Sequence, residues 1–313
     1  WGTATPPDRN GYMSLSLSLT YEKVMMDAAK LVVLEINDNL PRTLGDTHVH
    51  ISQVDGIVEN TVPLMEAQPI QPTDVEMEIG RLVASLIEDG STIQLGIGGI
   101  PNAVTACLME KRDLGIHTEM VTDGMVDLFN AGVVTGRLKG QWPEKIVGTF
   151  VMGTQKLYDF IHDNIGVEMQ AGHVVNDPWV IARNHKMVSI NTTLQVDLTG
   201  QANSESLGAK QYSGSGGALN TCMGAQMSPG GKSILAMRST AKNGTVSTIV
   251  PAFMEGQIVS IPRANVDYVV TEYGIACLKS MNVRKRVEQL ISIAHPDFRE
   301  WLSAEARALQ YTF

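Results

Sequence analysis

Apolar and polar positions alternate along the chain with two different periods, and the changes of period predict strands and helices in turn. "STIQLGIG" (91–98) predicts a strand, "IPNAVTACLMEKRDLG" (100–115) a helix opened by Pro101, and "IHTEMV" (116–121) a second strand. The alternation continues with strands predicted over 145–153, 188–198, 232–237, 245–251 and 266–274, and helices over 124–132, 154–164 and 282–294. Such a pattern is typical of an α/β fold with largely parallel sheets.

A proline-rich segment divides the chain into two predicted parts. "NTVPLMEAQPIQPTD" (60–74) contains three prolines and few periodic apolar residues, which is typical of a linker. Before it, residues 21–30 predict a helix and residues 30–38 a strand. We therefore predict a domain boundary that separates residues 1–66 from a larger domain over residues 67–313, a division that 313 residues allow.

The helix predicted after the linker is amphipathic. Thr73 or Asp74 can cap its start, and the helix is predicted over residues 75–90. Its apolar face is formed by Val75, Ile79, Leu82, Val83 and Leu86.

Composition narrows the function classes. The chain is 43% hydrophobic and 18% charged, as in ordinary soluble domains. A net charge of −9 and a pI of about 5.3 exclude a basic surface for general nucleic-acid binding. No apolar run approaches the roughly 20 residues that span a bilayer. We expect a cytoplasmic protein, and, because the chain starts at Trp1 in a loop-like stretch, one that begins inside a longer protein.

The cysteines predict neither a disulfide framework nor a metal site. Cys107, Cys222 and Cys277 are far apart, odd in number and outside any CxxC pair or Cys/His cluster. We expect buried thiols in a reducing cytoplasm.

Glu119 interrupts a β-forming run, where glutamate is depleted. The loop "GIGG" (96–99) follows one predicted strand and opens a helix, and Glu119 lies at the carboxyl end of the next predicted strand. If that helix is a right-handed crossover between parallel strands, the loop and the carboxylate reach the same edge of the sheet. Open parallel sheets bind their ligands at that edge. The sequence therefore predicts one pocket formed by a backbone-exposing loop and a carboxylate.

The same glycine loop has alternative explanations. Gly96 and Gly98 match the start of the dinucleotide motif GxGxxG, but Pro101 stands at the third glycine position. No Walker-type GK[ST] loop is predicted either, so NAD and ATP binding are rejected. The remaining alternative is a tight turn that needs glycine for its backbone conformation alone.

A second glycine cluster, "QYSGSGGALN" (211–220), holds Gly214, Gly216 and Gly217. Glycines at this density permit close approach of the backbone to a ligand and leave amide groups free to donate. Just upstream, Glu205 is a rival to Glu119 as nucleophile. Its small polar neighbours predict a turn in which it can equally face solvent, so the residues alone leave the choice between the two carboxylates open.

The remaining polar residues give weaker indications of a functional site. His48 and His50 share a face of a strand, but no carboxylate completes a metal site, so they are predicted to be structural or to line a pocket. His117 is predicted to lie on the same face of the strand as Glu119. It is either hydrogen-bonded locally or a partly buried bystander. Lys242 in "RSTAK" suits contact with a phosphate but is also an ordinary surface residue. "NVRKR" (282–286) predicts a solvated helix face.

Five blocks, in this order, resemble the acetyl-CoA hydrolase/transferase family: "LGIGGIPNAV", "GIHTEMVTDGMVDL", "LQVDLTGQANSESLGAKQYSGSGG", "VTEYGIACL" and "SIAHPDFREWL". Within that family the chain is most similar to 4-hydroxybutyrate and butyrate/acetate CoA-transferases. The resemblance implies two CoA-transferase-type α/β domains with largely parallel sheets and the active site between them. It also implies that the N-terminal domain is truncated here and lacks its first strands.

The resemblance implies roles for individual residues. The family's catalytic glutamate lies in the block "HTEM", which selects Glu119 over Glu205. The backbone amide of Ile97 is implied as one oxyanion donor, and that of Gly217 or its neighbour Gly216 as the other. Asn176 in "VVNDPW" is implied to position the reacting groups. CoA is implied to lie near Gly96, Gly98, Gly214, Gly216, Lys242 and Glu272.

The implied activity is transfer of CoA between short-chain carboxylates, acetate with butyrate or 4-hydroxybutyrate, through a glutamyl-CoA thioester. Acyl-CoA is the co-substrate, and neither metal nor ATP is required. An acyl-CoA hydrolase on the same scaffold and a non-catalytic CoA-binding protein are the alternatives. The family also implies a homodimer or a larger homo-oligomer.

Overall fold

The computed structural model describes residues 1–67 and 70–311. Its helices, in chain order, are α1 (Glu22–Ala28), α2 (Asp74–Ser85), α3 (Gly99–Ala106), α4 (Asp123–Asn130), α5 (Gln155–Ile161), α6 (Gly172–Val175), α7 (Pro178–Ala182), α8 (Ala218–Met227), α9 (Val283–Ser292) and α10 (Pro296–Ala308). Helix α2 begins as predicted, because Thr73 and Glu76 form a reciprocal capping box at its start.

The strands are short, and many have only two or three residues. In chain order they are β1 (Gly2–Ala4), β2 (Tyr12–Ser14), β3 (Val33–Ile36), β4 (His48–His50), β5 (Gly56–Glu59), β6 (Thr92–Leu95), β7 (Gly115–Ile116), β8 (Met120–Val121), β9 (Ile146–Gly148), β10 (Phe150–Val151), β11 (Val167–Met169), β12 (Met187–Thr192), β13 (Gln195–Asp197), β14 (Ala202–Asn203), β15 (Ser206–Leu207), β16 (Lys210–Gln211), β17 (Lys232–Ala236), β18 (Thr240–Ala241), β19 (Val246–Ser247), β20 (Ile249–Val250), β21 (Tyr268–Thr271) and β22 (Gly274–Cys277).

The largest sheet has six strands in the order β22-β21-β17-β12-β6-β7. All neighbours are parallel except the edge pair of β21 and β22. Strands β6 and β12 are almost continuously buried, as expected where both faces of a parallel sheet are covered. The predicted α/β fold with largely parallel sheets is confirmed.

Smaller sheets surround this one. Strands β1, β3 and β5 form a parallel sheet in the N-terminal part, and β2 pairs with β4. The parallel pairs β8–β10 and β9–β11 extend the region after β7. Strand β13 pairs with β14 and β20, while β15–β16 and β18–β19 are antiparallel hairpins.

The apolar core is divided. The largest cluster packs α2, α3, α4 and α5 against the centre of the six-stranded sheet. A second cluster lies under α9 and α10, and a third fills the N-terminal part. The predicted linker over 60–74 contains no helix or strand among its described residues before Asp74. The domain division at residue 66 stays a prediction.

Several predicted elements are shorter than expected. Helix α2 ends at Ser85 rather than at residue 90, where the Leu86 and Ile87 amides bond to carbonyls three residues back instead of four. Helix α3 ends at Ala106, after which the Leu108 and Lys111 amides bond to carbonyls three residues back. The predicted strands over 116–121, 145–153 and 188–198 are each broken in two.

One expectation about nucleotide motifs needs correction. The tripeptide Gly231-Lys232-Ser233 does match the end of a Walker motif, but Gln226 stands where its first glycine belongs. Lys232 begins β17 and pairs with Glu88 at 2.9 Å, so it serves as a structural ion pair. In the part of the chain that the structure describes, no helix is both long and apolar enough to cross a membrane.

Candidate active site

Glu119 lies between two short strands rather than at the end of one. Strand β7 stops at Ile116 and β8 starts at Met120, and the Glu119 carbonyl accepts hydrogen bonds from the Thr149 and Phe150 amides at 2.9 and 3.0 Å. These bonds fix its backbone from a neighbouring segment. The side chain is half-buried, so it is neither a core residue nor a fully solvated one.

The glycine loop 96–99 and Glu119 lie at the same edge of the sheet. Strands β6 and β7 are parallel, with Thr92 opposite Gly115. The Thr118 hydroxyl donates to the Leu95 carbonyl at 3.1 Å, which joins the residue before Glu119 to the residue before the loop. The sheet edge that the chain order predicts for both is therefore confirmed. A shared pocket stays a prediction, because the described residues that line the cavity beside Ile97 and Gly98 do not include Glu119.

The loop itself has the conformation that its glycines permit. Gly98 has a φ of +114°, which disfavours any residue with a Cβ. Ile97 is 58% exposed and, together with Gly98, lines a cavity of about 640 Å³ between α3, α4 and the start of α5. The backbone of this turn is therefore accessible to a ligand. Gly96 precedes it, and a Cβ there would only touch Pro101.

An ion pair between the largely covered Glu76 and the exposed Arg238 supports the loop from behind. The Glu76 carboxylate lies directly against Gly99, leaving no room for a Cβ, and Arg238 pairs with Glu76 at 2.9 Å. Burial raises the pKa of Glu76, but hydrogen bonds from the Thr73 amide and from Arg238 outweigh it, so the pKa is lowered overall. Sequence reasoning missed this support; the capping-box spacing Thr73-x-x-Glu76 was its only local signal.

Asn176 contacts the Glu119 carboxylate. Its side-chain nitrogen Nδ2 donates to Glu119 Oε1 at 3.2 Å, across 57 residues of sequence. Asn176 caps the end of α6, and Asn220 of α8 donates to its backbone carbonyl at 3.0 Å. The side-chain oxygen Oδ1 is buried without a hydrogen-bond partner among the residues described. A polar atom left unpaired there is suited to accept a hydrogen bond from a bound ligand.

The second glycine loop reaches the same place through Gly217. A Cβ at this position would lie 2.8 to 3.1 Å from the amide atoms of the Asn176 side chain, so the two residues are in direct contact. Gly214 and Gly216 are exposed and face open space instead. Gly217 is also the residue that immediately precedes α8, and the first amides of a helix have no partner within the helix.

The other site residues of the sequence analysis lie elsewhere. Glu205 is 9% exposed and has its Oε2 buried without a partner among the described residues, so the idea that it faces solvent is wrong. Glu272 accepts from the Ser239 amide at 2.9 Å and hydroxyl at 2.6 Å, which ties β21 to the segment before β18. Lys242 is exposed in the β18–β19 turn with a φ of +48°. Among the residues that the structure describes, no hydrogen bond links these three to Glu119.

The predicted structural roles of the remaining residues are largely confirmed. His48 Nδ1 donates to the Gly45 carbonyl, and His50 Nδ1 is hydrogen-bonded to the hydroxyl and the amide of Ser52, all within the N-terminal part. The face of α9 that carries Arg284 and Lys285 is exposed and pairs with Glu288. Across residues 1–67 and 70–311, no group of three or more His, Cys, Asp or Glu side chains is arranged to hold a metal.

His117 differs from its prediction as a partly buried bystander. It is 1% exposed, and its Nε2 lies 2.9 Å from the Val175 carbonyl. Burial, and next the positive charge of Lys139, lower the pKa of His117 to about 4. Burial likewise lowers the pKa of Lys139 to about 7, where its ammonium donates to the Ile116 and Lys145 carbonyls at 2.7 and 2.6 Å. The strand leading to Glu119 is thus held by two buried basic side chains.

The buried His117 predicts acid sensitivity of the fold. Its pKa is about 4 when folded against an ordinary 6.5, so the unfolded chain binds the extra proton between these values and stability falls as the pH falls. From pH 7 to pH 5 the free energy of unfolding should drop by about 2 kcal/mol through this group. Urea unfolding at both pH values should show a smaller drop for His117→Gln, which cannot titrate. An equal drop in both proteins would contradict the assignment.

Comparison with known proteins gives matches over nearly the whole chain. The sequence profile of the acetyl-CoA hydrolase/transferase N-terminal domain matches residues 3–66, and that of the C-terminal domain matches residues 153–306. The 4-hydroxybutyrate coenzyme A transferase of Clostridium kluyveri is 52% identical, over 96% of this chain and 70% of that protein. The butyryl-CoA:acetate CoA-transferase of Anaerostipes caccae is 41% identical, over 97% of this chain and 70% of that protein. RipA from Yersinia pestis has a similar structure, with a TM-score of 0.95 and 41% identity over 99% of this chain and 70% of that one.

Proposed function

Because the chain belongs to the acetyl-CoA hydrolase/transferase family, we propose that it transfers CoA between short-chain carboxylates through a thioester on Glu119. Acetate with butyrate or 4-hydroxybutyrate are the proposed acids, since similar proteins carry these names. The observation that carries the proposal is the contact between Asn176 Nδ2 and Glu119 Oε1 at 3.2 Å, with Gly217 packed against the same Asn176 side chain. A cytoplasmic homo-oligomer is part of the proposal.

The proposed reaction uses Glu119 as a nucleophile. Its carboxylate attacks the thioester carbonyl of acyl-CoA and forms a C–O bond, the C–S bond breaks, and CoA departs as thiolate, which leaves a mixed anhydride on Glu119. The thiolate then attacks the glutamyl carbonyl, which releases the first acid as carboxylate and leaves a glutamyl-CoA thioester. An incoming carboxylate attacks this thioester and reverses the two steps, so that it departs as its own CoA ester. Each bond broken is matched by one formed, and no ATP is consumed.

The backbone of the two glycine loops is proposed to stabilise the tetrahedral intermediates. The Ile97 amide lies in the accessible turn at the end of β6, and the Gly217 amide lies beside Asn176. One such donor typically lowers the barrier by about 3 to 4 kcal/mol. A carboxylate is a weak nucleophile, so binding of the remote part of CoA must contribute to the rate. We propose that Gly96, Gly98, Gly214, Gly216, Lys242 and Glu272 belong to the CoA-binding surface.

A covalent adduct tests this proposal directly. After treatment with acyl-CoA, intact-mass analysis should show a protein species heavier by CoA, and peptide mapping should place the modification on the peptide that contains Glu119. Borohydride reduces enzyme thioesters, so it should inactivate the protein only after acyl-CoA has been added. CoA binding without any adduct would instead identify a non-catalytic CoA-binding protein.

Hydrolysis is the second candidate, because the half-buried Glu119 side chain remains partly accessible to water. The two activities differ in what attacks the glutamyl thioester. Release of free CoA and formation of the new acyl-CoA should be measured with and without added acetate. A transferase needs acetate for continued turnover, whereas acetate-independent release of CoA at the full rate would identify a hydrolase.

A further inference from the structure

His117 connects the β7–β8 segment, which carries Glu119, to the segment that carries Asn176. It lies two residues before Glu119, and its Nε2 is 2.9 Å from the carbonyl of Val175, the residue before Asn176. The His117 amide donates to the Ile93 carbonyl at 3.1 Å, and His117 bridges to Val147, so its backbone is fixed between two neighbouring strands. The short helix α6 is therefore attached to the sheet at its last residue.

The hydrogen bond defines the state of the ring. A backbone carbonyl can only accept, so Nε2 must carry the proton that it donates. Nδ1 is buried without a hydrogen-bond partner among the described residues. The ring is thus held in one neutral tautomer, and the ammonium of the neighbouring Lys139 opposes a second positive charge there.

Stability alone does not explain a histidine at this position. Leaving a buried polar nitrogen unpaired typically costs about 1 to 3 kcal/mol, which an apolar side chain of similar size would avoid. Trp142 already covers the ring, with centroids 6.1 Å apart, so the surroundings suit an apolar residue. What an apolar residue cannot supply is the hydrogen bond to Val175.

The contacts around Asn176 form a closed circuit. Glu119 accepts from Asn176 at 3.2 Å, and Asn176 follows Val175 in the chain. Val175 accepts from His117 at 2.9 Å, and His117 is joined to Glu119 through Thr118 in the segment between β7 and β8. Asn220 fixes the Asn176 carbonyl from a different helix. The His117 bond is the link in this circuit that comes from the segment of Glu119 itself.

We infer that His117 is a positioning residue, which holds Asn176 against the Glu119 carboxylate by donating a hydrogen bond to Val175. It acts through Asn176 and touches no reacting atom. The inference rests on the proposed function of Glu119. It adds a residue that takes no part in the contacts between Glu119, Asn176 and Gly217. Loss of the bond lets the end of α6 move and leaves the carboxylate without its aligned partner.

Two amide variants separate positioning from packing. The Gln side chain in His117→Gln can place a nitrogen donor where Nε2 lay, whereas the shorter chain in His117→Asn cannot reach Val175. Misplacement by about 1 Å can cost a hundredfold in rate, so we expect His117→Asn to lower kcat by about ten- to a hundredfold, with the KM for acyl-CoA changed by less than about threefold. His117→Gln should recover most of that loss. Equal losses in the two folded variants would overturn the inference.

A double-mutant cycle with Asn176→Ala provides the second readout. If His117 acts through Asn176, then His117→Asn should have little further effect on kcat once Asn176 has been truncated. Independent, multiplying losses would show a general structural role and overturn the inference. Thermal unfolding of every variant identifies any that do not fold. If His117→Asn does not fold, the kcat of His117→Gln decides. A near-wild-type kcat supports the inference, and a loss of kcat equal to that of Asn176→Ala contradicts it.

The adduct assay keeps this inference distinct from the proposed function. If the wild-type protein forms no adduct on the Glu119 peptide, the proposed function fails. If the wild-type protein forms it, and His117→Asn forms it at the same rate, the function stands and the positioning role fails. A slower approach to the same adduct in His117→Asn is the expected result.

Discussion

Replacing Glu119 with Gln is expected to abolish CoA exchange while leaving acyl-CoA binding nearly unchanged. The amide has the size of the carboxylate and keeps an oxygen that can accept from Asn176 Nδ2, now 3.2 Å away. It cannot, however, displace CoA thiolate to form the mixed anhydride. Loss of a catalytic nucleophile typically lowers kcat by about 10⁴-fold or more. Exchange should be followed with acyl-CoA and acetate, and binding by calorimetry.

Glu205→Gln is the matched control for this experiment. Glu205 is also a carboxylate that is largely shielded from solvent, with an unpaired buried Oε2 among the described residues, but it does not share the Asn176 contact. The same chemical change there should leave exchange within about threefold of wild type, because Glu205 has no hydrogen bond to Glu119 or Asn176 among the described residues. If Glu205→Gln were inactive and Glu119→Gln active, Glu205 would be the nucleophile.

Replacing Gly217 with Ala is expected to lower kcat by about a hundredfold, the cost typical of misaligned catalytic groups. The new Cβ would lie 2.8 Å from Asn176 Nδ2, closer than van der Waals contact allows, so the Asn176 amide must turn away from Glu119. The backbone does not oppose the change, because Gly217 has a φ of −90°, which alanine adopts without strain. The effect is therefore a purely steric one on the site. Steady-state kinetics should show it in kcat rather than in binding.

Gly214→Ala gives the comparison within the same loop. No atom lies within 4 Å of a Cβ at Gly214, and the substitution retains the backbone amide. Its loss of kcat should be much smaller than that of Gly217→Ala. Similar losses would indicate that the loop needs flexibility at both glycines, and the contact with Asn176 would no longer explain the effect. Gly216 is unsuitable for this comparison because its φ of +58° would add backbone strain to any substitution.

The sequence alone could not identify which glycine of the second loop contacts the proposed catalytic residues. Gly214, Gly216 and Gly217 look alike in a polar loop, and the family resemblance left Gly216 and Gly217 as alternatives. The structure separates them, because only Gly217 is buried and in contact with Asn176. That difference depends on how α8 packs near α6 and α7, and a short sequence window holds no information about that packing.

The chain by itself determined the features that depend on neighbours in sequence. The period of the apolar positions predicted the α/β alternation, a capping residue at Thr73 or Asp74 predicted the start of α2, and the prolines predicted the irregular segment before it. All three features are set by local backbone preferences. The order of strands also placed the first glycine loop and Glu119 at one sheet edge, since crossovers between parallel strands have a fixed hand. The block "HTEM" then selected Glu119 by family resemblance.

Only the tertiary structure decided the contacts between distant segments. The bond from Asn176 to Glu119 spans 57 residues and that from His117 to Val175 spans 58, and both depend on α6 docking beside β7. The burial of Glu205 and the support of Gly99 by Glu76 and Arg238 have the same origin. Side chains far apart in sequence meet through the packing of whole elements, and hydrophobic periodicity specifies which face of an element is buried but not which neighbour covers it.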